Sequence, residues 1–110
     1  MIGDRDLNIT HDDFSTPALL DLLKVAAKNT GHSGNLYRSH TGVLDDTVPF
    51  AKRGVPVLDI VDLDYGPMDN STGDHAYHHT VQDTIDKISP QSLQISADLF
   101  MEMINLLNQR

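Results

Sequence analysis

A nearly continuous apolar run at residues 55–61, VPVLDIV, constrains the fold of this chain more than any other feature. Gly54 precedes the run and Asp62 follows it. A run that is rich in β-branched residues and bounded in this way predicts a strand buried on both faces. Pro56 must then lie at its start, because proline cannot donate to a sheet. With a shorter strand predicted at residues 35–38, the run indicates an α/β protein.

Two amphipathic segments supply the helices that such a sheet needs. Thr16 with Pro17, and Ser89 with Pro90, predict an N-cap followed by a first helical residue. Apolar residues then recur at helical spacing: they are Leu19, Leu22, Leu23 and Ala26 in the first helix, and Leu93, Ala97, Phe100, Ile104 and Leu107 in the last. We expect one α/β domain over residues 1–110, with a mostly parallel mixed sheet and helices on both faces.

Composition excludes several classes of partner. The net charge is −8, from 8 basic and 16 acidic residues, and no basic cluster exceeds Lys52-Arg53. We therefore expect neither nucleic acid nor a membrane surface as a partner. No apolar run approaches the ~18 residues of a membrane-spanning helix. The chain has no cysteine, so redox chemistry leaves its cellular compartment open.

A histidine cluster is the strongest candidate for chemistry. His75, His78 and His79 fall close together, and Asp83 follows them. Neutral imidazole is the commonest protein ligand for zinc, and a nearby carboxylate can fix its tautomer. The spacing alone fits a metal site and a metal-free surface loop equally well, because no Cys-x-x-Cys or His-Glu-x-x-His motif accompanies it. The cluster ends a polar loop that follows the predicted strand, where open parallel sheets bind ligands.

The order of the motifs resembles the C-terminal part of the zinc aminopeptidase and glutaminyl-peptide cyclotransferase family. In this chain the order is LDDTVPF at residues 44–50, AKRGVPVLDI at residues 51–60, HTVQDT at residues 79–84, and then Ser-Pro before the last helix. The resemblance implies part of a three-layer αβα zinc-peptidase-like domain. It also implies a C-terminal fragment, because the family's His-x-Asp and Glu-Glu elements are not in the sequence.

The resemblance assigns roles to individual side chains. His79 takes the position of a zinc ligand. Asp45 matches the first acidic residue of the family's Asp-Asp-His motif, which belongs to a hydrogen-bond network at the catalytic site, and Thr47 replaces the His of that motif. Asp59 falls where cyclotransferases commonly place a His that binds substrate, and a structural role for this carboxylate is the alternative.

Four further residues lie close in sequence to the expected metal ligand. Tyr77 and His78 occupy the approach to the substrate, so they form either a substrate-binding wall or an exposed loop. Asp83 either accepts the ring N–H of His79 and orients it, or stabilises a turn. His75 is expected to be solvated.

The resemblance implies a zinc-dependent exopeptidase that acts on peptide N-termini. The alternatives are a glutaminyl-peptide cyclotransferase and a separately encoded, non-catalytic binding or assembly module. A catalytic zinc needs about three protein ligands, so we expect the isolated chain to bind zinc weakly at best and to be inactive. The open edges of the predicted strand lead us to expect self-association of the isolated chain.

Overall fold

A computed structural model describes residues 1–109, and it shows a mixed α/β unit, as predicted. Its elements are, in chain order, β1 (Ile9–Asp12), α1 (Pro17–Thr30), β2 (Leu36–Thr41), α2 (Thr47–Lys52), β3 (Met68–Asp69), β4 (Asp74–His75) and α3 (Pro90–Asn108), with short 3-10 turns at Ser33–Asn35 and Ile85–Lys87. None of the helices within residues 1–109 combines the length and apolarity that a membrane crossing needs.

The strands form two small sheets. β1 and β2 pair in parallel, with Ile9 opposite Leu36 and His11 opposite His40. The helix α1 connects these two strands, so this part of the chain is a βαβ unit. β3 and β4 pair in antiparallel orientation and form a short hairpin. The hairpin lies in the loop that carries the histidine cluster.

Residues 55–61 do not form the regular strand that the sequence predicts. Side-chain hydroxyls replace part of the expected ladder, so pairing with β1 is intermittent. The hydrogen bonds run from Thr10 N to Val61 O and from Thr16 N to Val57 O, both 2.8 Å, and from Val57 N to Thr16 Oγ1 and Asp59 N to Ser15 Oγ, both 2.9 Å. The prediction that this segment is buried on both faces is also wrong, because Val55 is 47% exposed.

Both long helices begin at the predicted prolines. Ser89 caps α3, where its hydroxyl accepts a hydrogen bond from Ser92 N at 3.1 Å. Thr16 occupies the N-cap position of α1, but its hydroxyl bonds to the extended segment instead of the first turn. α1 ends at Gly31, whose φ of 78° is the left-handed conformation that glycine adopts without strain.

The two long helices pack against each other and against β1. The buried cluster consists of Leu7, Ile9, Leu23, Ala26, Ala27, Leu99 and Met103. α1 therefore faces the core as predicted. The predicted stripe on α3 does not, because Leu93, Phe100, Ile104 and Leu107 are exposed and the buried face carries Ser92, Ser96, Leu99 and Met103. Apolar residues surround much of α3, so periodicity alone could not identify the buried side.

Candidate functional site

Four of the predicted site residues meet at one cavity of about 510 Å³. Asp45, His78, His79 and Asp83 all lie on its wall. Asp45 precedes α2, whereas the other three follow the β3–β4 hairpin. The fold therefore joins the two motifs that are separated in sequence. We call this space the His79 cavity.

His79 has an uncommon backbone conformation and an exposed side chain. Its φ is 54°, which is uncommon for a residue other than glycine. Such a conformation costs on the order of 1 kcal/mol and is often retained at functional sites. The ring stacks on His78, with 3.9 Å between centroids. Within residues 1–109 no hydrogen bond engages the His79 imidazole, so its nitrogens are available to a ligand.

His78 is held in place by the hairpin. Its Nδ1 lies 2.7 Å from Asp74 Oδ2, and this hydrogen bond is the main reason that the pKa of Asp74 is lowered. An ionised carboxylate can only accept, so His78 Nδ1 is the donor in this hydrogen bond. The side chain is 23% exposed and reaches the His79 cavity. This placement supports the predicted position of His78 on the wall.

Tyr65 is a cavity residue that the sequence analysis missed. It is 2% exposed, and its hydroxyl donates to Asp83 Oδ1 at 2.6 Å. Burial, followed by the Asp83 carboxylate, raises the pKa of Tyr65 to about 12, so the phenol remains a donor. Within residues 1–109 Asp83 bonds to Tyr65 and not to His79. The orienting role of Asp83 therefore stays a prediction. A single tyrosine in a polar loop gives no sequence signal for this contact.

Tyr77 packs behind the cavity wall. Its ring meets Tyr65 edge-on, with 5.4 Å between centroids, and the Lys87 ammonium lies 4.9 Å from its centroid. Gly66 makes this packing possible, because a Cβ there would lie 2.7 Å from the Tyr77 ring. Tyr77 thus supports Tyr65 in this structure. A direct contact with substrate stays a prediction.

Asp59 lies beside Asp45 and away from the wall of the His79 cavity. Burial, followed by the carboxylates of Asp45 and Asp12, raises the pKa of Asp59 to about 6. Its Oδ2 is buried and has no hydrogen-bond partner within residues 1–109. A buried carboxyl oxygen in this state favours a shared proton or a further donor. Substrate binding by Asp59 stays a prediction.

His75 is ordered by contacts, so the expectation that it is solvated is wrong. Its Nδ1 lies 2.6 Å from Gly66 O, and its Nε2 lies 3.3 Å from Asp64 Oδ1. The side chain is 21% exposed. His75 ends β4, and these contacts fix the hairpin to the loop before it.

Comparison with protein families gives a match to Peptidase family M28 over residues 2–104. The chain belongs to this family. No curated protein matches it. Membership in family M28 agrees with the resemblance that the motif order carries.

Solved structures repeat the match. The chain is 65% identical to the glutaminyl cyclase of an Acidobacteriales bacterium, with a TM-score of 0.95, and the match covers 100% of this chain and 37% of that one. The glutaminyl cyclase of Porphyromonas gingivalis gives 22% identity, a TM-score of 0.80 and coverages of 97% and 40%. A Zn-dependent exopeptidase from Parabacteroides distasonis gives 21% identity and a TM-score of 0.74, and the match covers 94% of this chain and 36% of that one. The last two likenesses show the fold alone, and the chain spans less than half of each protein.

The M28 residues present here do not complete a metal site. Within residues 1–109 no group of three or more His, Cys, Asp or Glu side chains is arranged to hold an ion. Structural zinc takes four ligands, and catalytic zinc takes about three from the protein. The His79 ring makes no hydrogen bond to the described residues, and its role as a zinc ligand stays a prediction.

Proposed function

We propose that this chain forms the histidine-bearing side of a glutaminyl-peptide cyclotransferase active site. The observation that carries the proposal is the 65% identity to a solved glutaminyl cyclase over the whole chain. Membership in family M28 supports zinc-dependent exopeptidase activity more coarsely. The cyclotransferase is therefore favoured over the exopeptidase that the motif order first suggests.

The reaction is an intramolecular substitution at a peptide N-terminus. The α-amine of an N-terminal glutamine attacks its own γ-carboxamide carbon, a C–N bond forms, and ammonia leaves. The new ring is a pyroglutamyl group. No water is consumed, so a cavity that limits the access of water favours cyclisation over hydrolysis.

The residues of the His79 cavity suit parts of this reaction. His79 would contribute one ligand to the zinc of the complete enzyme, which would activate the γ-carbonyl. Asp45 lies on the cavity wall and Asp59 lies next to it. Because burial raises the pKa of Asp59 to about 6, this carboxyl next to Asp45 is mostly ionised at neutral pH and can readily take up a proton. Such a carboxyl can accept a proton from the α-amine and supply one to departing ammonia.

A hybrid enzyme tests the proposal. This chain would replace the matching region of the Acidobacteriales bacterium glutaminyl cyclase, which supplies the rest of the fold. We expect the hybrid to release ammonia from a glutaminyl peptide and to leave a leucyl anilide intact. His79→Ala should abolish this activity. His32→Gln is the matched control, because His32 pairs with Asp98 on α3 and is not on the cavity wall.

The other outcomes separate the alternatives. Hydrolysis of the leucyl anilide without cyclisation would favour the exopeptidase. A folded hybrid that performs neither reaction would favour the non-catalytic binding or assembly module.

A further inference from the structure

A second cavity, of about 500 Å³, adjoins the His79 cavity. We call it the hairpin cavity. It lies between the β3–β4 hairpin and the end of β2 with the loop that follows. The two cavities share the side chains of Val43, Leu44, Leu63 and His78. A peptide that has its first residue in the His79 cavity can therefore continue over this shared wall into the hairpin cavity.

The hairpin cavity carries two carboxylates and three imidazoles. Asp64 and Asp74 lie on its wall with His40, His75 and His78, and no Lys or Arg of residues 1–109 joins them there. The hydrogen bond from His78 keeps the pKa of Asp74 low, so this carboxylate is ionised at neutral pH. The Asp64 and Asp74 side chains are 34% and 50% exposed, so a bound side chain can reach them.

The Asp64 carboxylate is positioned before any ligand arrives. Its Oδ2 accepts hydrogen bonds from Asn8 Nδ2 at 2.8 Å and from Ser39 Oγ at 2.5 Å. Asn8 is 3% exposed, so the amide that orients the Asp64 carboxylate is itself buried. A carboxylate that is held in this way loses little conformational entropy when it pairs with a cation.

Asp74 faces the same cavity from the hairpin. Its Oδ1 accepts the His75 N–H at 2.7 Å, and its Oδ2 accepts from His78. Hydrogen bonds therefore fix both acids: Ser39 of β2 holds Asp64, and His75 and His78 hold Asp74. Two fixed carboxylates on the wall of one cavity match a single long cationic side chain.

We propose that the hairpin cavity binds the residue that follows the N-terminal glutamine of the substrate and prefers lysine or arginine there. This inference rests on the proposed function, because it takes the His79 cavity as the place where the N-terminal residue reacts. The binding step itself requires no metal and no catalysis. It can therefore be measured on the chain alone.

Titration of the isotope-labelled 110-residue chain with reaction products provides the first test. The probes are pyroglutamyl-lysyl-alanine amide and pyroglutamyl-glutamyl-alanine amide, which cannot react further. We expect the lysyl peptide to shift the amide resonances of residues 39–42 and 73–78. It should bind about fivefold more tightly than the glutamyl peptide, which is the effect of one favourable, partly exposed ion pair. Equal affinities would overturn the proposal.

A pair of variants separates a local effect from the general acidity of the chain. Asp74→Asn should remove most of the preference for lysine. Asp69→Asn removes the same charge from the same hairpin but from a residue that does not line the cavity. Asparagine also preserves the acceptor that Asp69 Oδ1 offers to Ser71. A preference that survives in Asp74→Asn, or that falls equally in Asp69→Asn, would contradict the assignment.

Kinetics of the hybrid enzyme give the second test. We expect kcat/KM for Gln-Lys-Ala to exceed that for Gln-Glu-Ala by about fivefold. Asp74→Asn should reduce turnover of Gln-Lys-Ala more than that of Gln-Ala-Ala, whereas Asp69→Asn should change neither. If no glutaminyl peptide is cyclised, the proposed function fails, and the titration still decides the charge preference. If all three peptides are cyclised equally, the subsite is wrong and the cyclotransferase stands.

Discussion

The helical core and the His79 cavity belong to one short chain and are built in opposite ways. Leu23, Ala26 and Leu99 have no exposed surface and pack between α1, α3 and β1. His79 is exposed, has a positive φ and makes no hydrogen bond to the rest of residues 1–109. The core residues are packed within this chain, whereas His79 faces solvent. Stability and function should therefore be separable by mutation.

The largest expected effect is in the core. Leu99→Ala removes a fully buried side chain between the two long helices, so the free energy of unfolding should fall by about 2–5 kcal/mol. Urea denaturation followed by circular dichroism measures this loss. Val81→Ala is the matched control, because Val81 is 96% exposed and should change stability by less than about 0.5 kcal/mol. Similar losses in both variants would mean that the core is not formed as described.

His79→Ala should show the opposite pattern. The free energy of unfolding should change by less than about 0.5 kcal/mol, since an exposed ring contributes little packing. Cyclisation by the hybrid enzyme should fall by roughly a hundredfold or more, because a metal ligand is lost. Calorimetry should also show that the 110-residue chain binds zinc weakly and that the alanine variant loses this binding. Tight binding that survives the substitution would transfer the ligand role to His75 or His78.

The difference between the helical core and the His79 cavity also decides what the sequence can predict. Helix starts and the buried side of α1 follow from local rules, because a proline after Thr or Ser and a repeated apolar stripe act within one segment. The buried side of α3 was missed, since this helix has apolar residues on two sides. Hydroxyls of Ser15 and Thr16 replace strand pairing at residues 55–61, and no pattern of apolar residues indicates such a contact.

The His79 cavity was accessible only through the resemblance to a family. The motif order brought Asp45 and His79 together, and the structure places both on one wall. The contact between Tyr65 and Asp83 joins residues that lie 18 apart in sequence, across an irregular loop. Neither periodicity nor spacing predicts a contact of that kind, so only the folded structure shows which residues support the site.

A pH titration tests a third kind of burial, in which a carboxyl lies inside the fold. Asp62 has no exposed surface. Burial raises its pKa to about 7, the Asn8 N–H opposes the rise, and the Asp4 carboxylate adds to it. The folded state then holds a proton that the unfolded state releases near pH ~3.9. The contribution of Asp62 to stability should therefore be largest below that value and should be lost as the pH rises towards about 7.

Asp62→Asn isolates this effect. Asparagine is neutral and keeps an oxygen for the Asn8 N–H, so the variant should lose the part of the fall in stability between about pH 4.5 and about pH 7.5 that Asp62 causes, while Asp59, whose pKa is about 6, contributes equally to both profiles. We expect a difference on the order of 1–3 kcal/mol between the two profiles. Acids with lowered pKa values, such as Asp86 and Asp98, are already ionised over this range and do not interfere. Parallel profiles would show that Asp62 is ionised when buried.

The smallest expected effect concerns an apolar surface that the core does not cover. Leu58 and Ile60 of the extended segment, with Leu93 and Phe100 of α3, line a groove of about 450 Å³. Phe100 is 55% exposed and Leu93 is 45% exposed. Large exposed apolar patches usually mark an interface. We therefore propose that two copies of the isolated chain associate through this groove.

Sedimentation velocity at micromolar protein tests the association. Phe100→Glu should raise the dissociation constant about tenfold, because an aromatic side chain near the centre of an interface typically contributes more than 1 kcal/mol. Val81→Glu adds the same charge at an exposed apolar position outside the groove and should leave the constant unchanged. A wild-type chain that sediments as a monomer at all concentrations measured would show that the groove stays exposed to solvent. In that case the core described above is sufficient to keep the chain folded as a monomer. The groove, like the His79 cavity, would then be a surface against which the rest of an M28 domain packs.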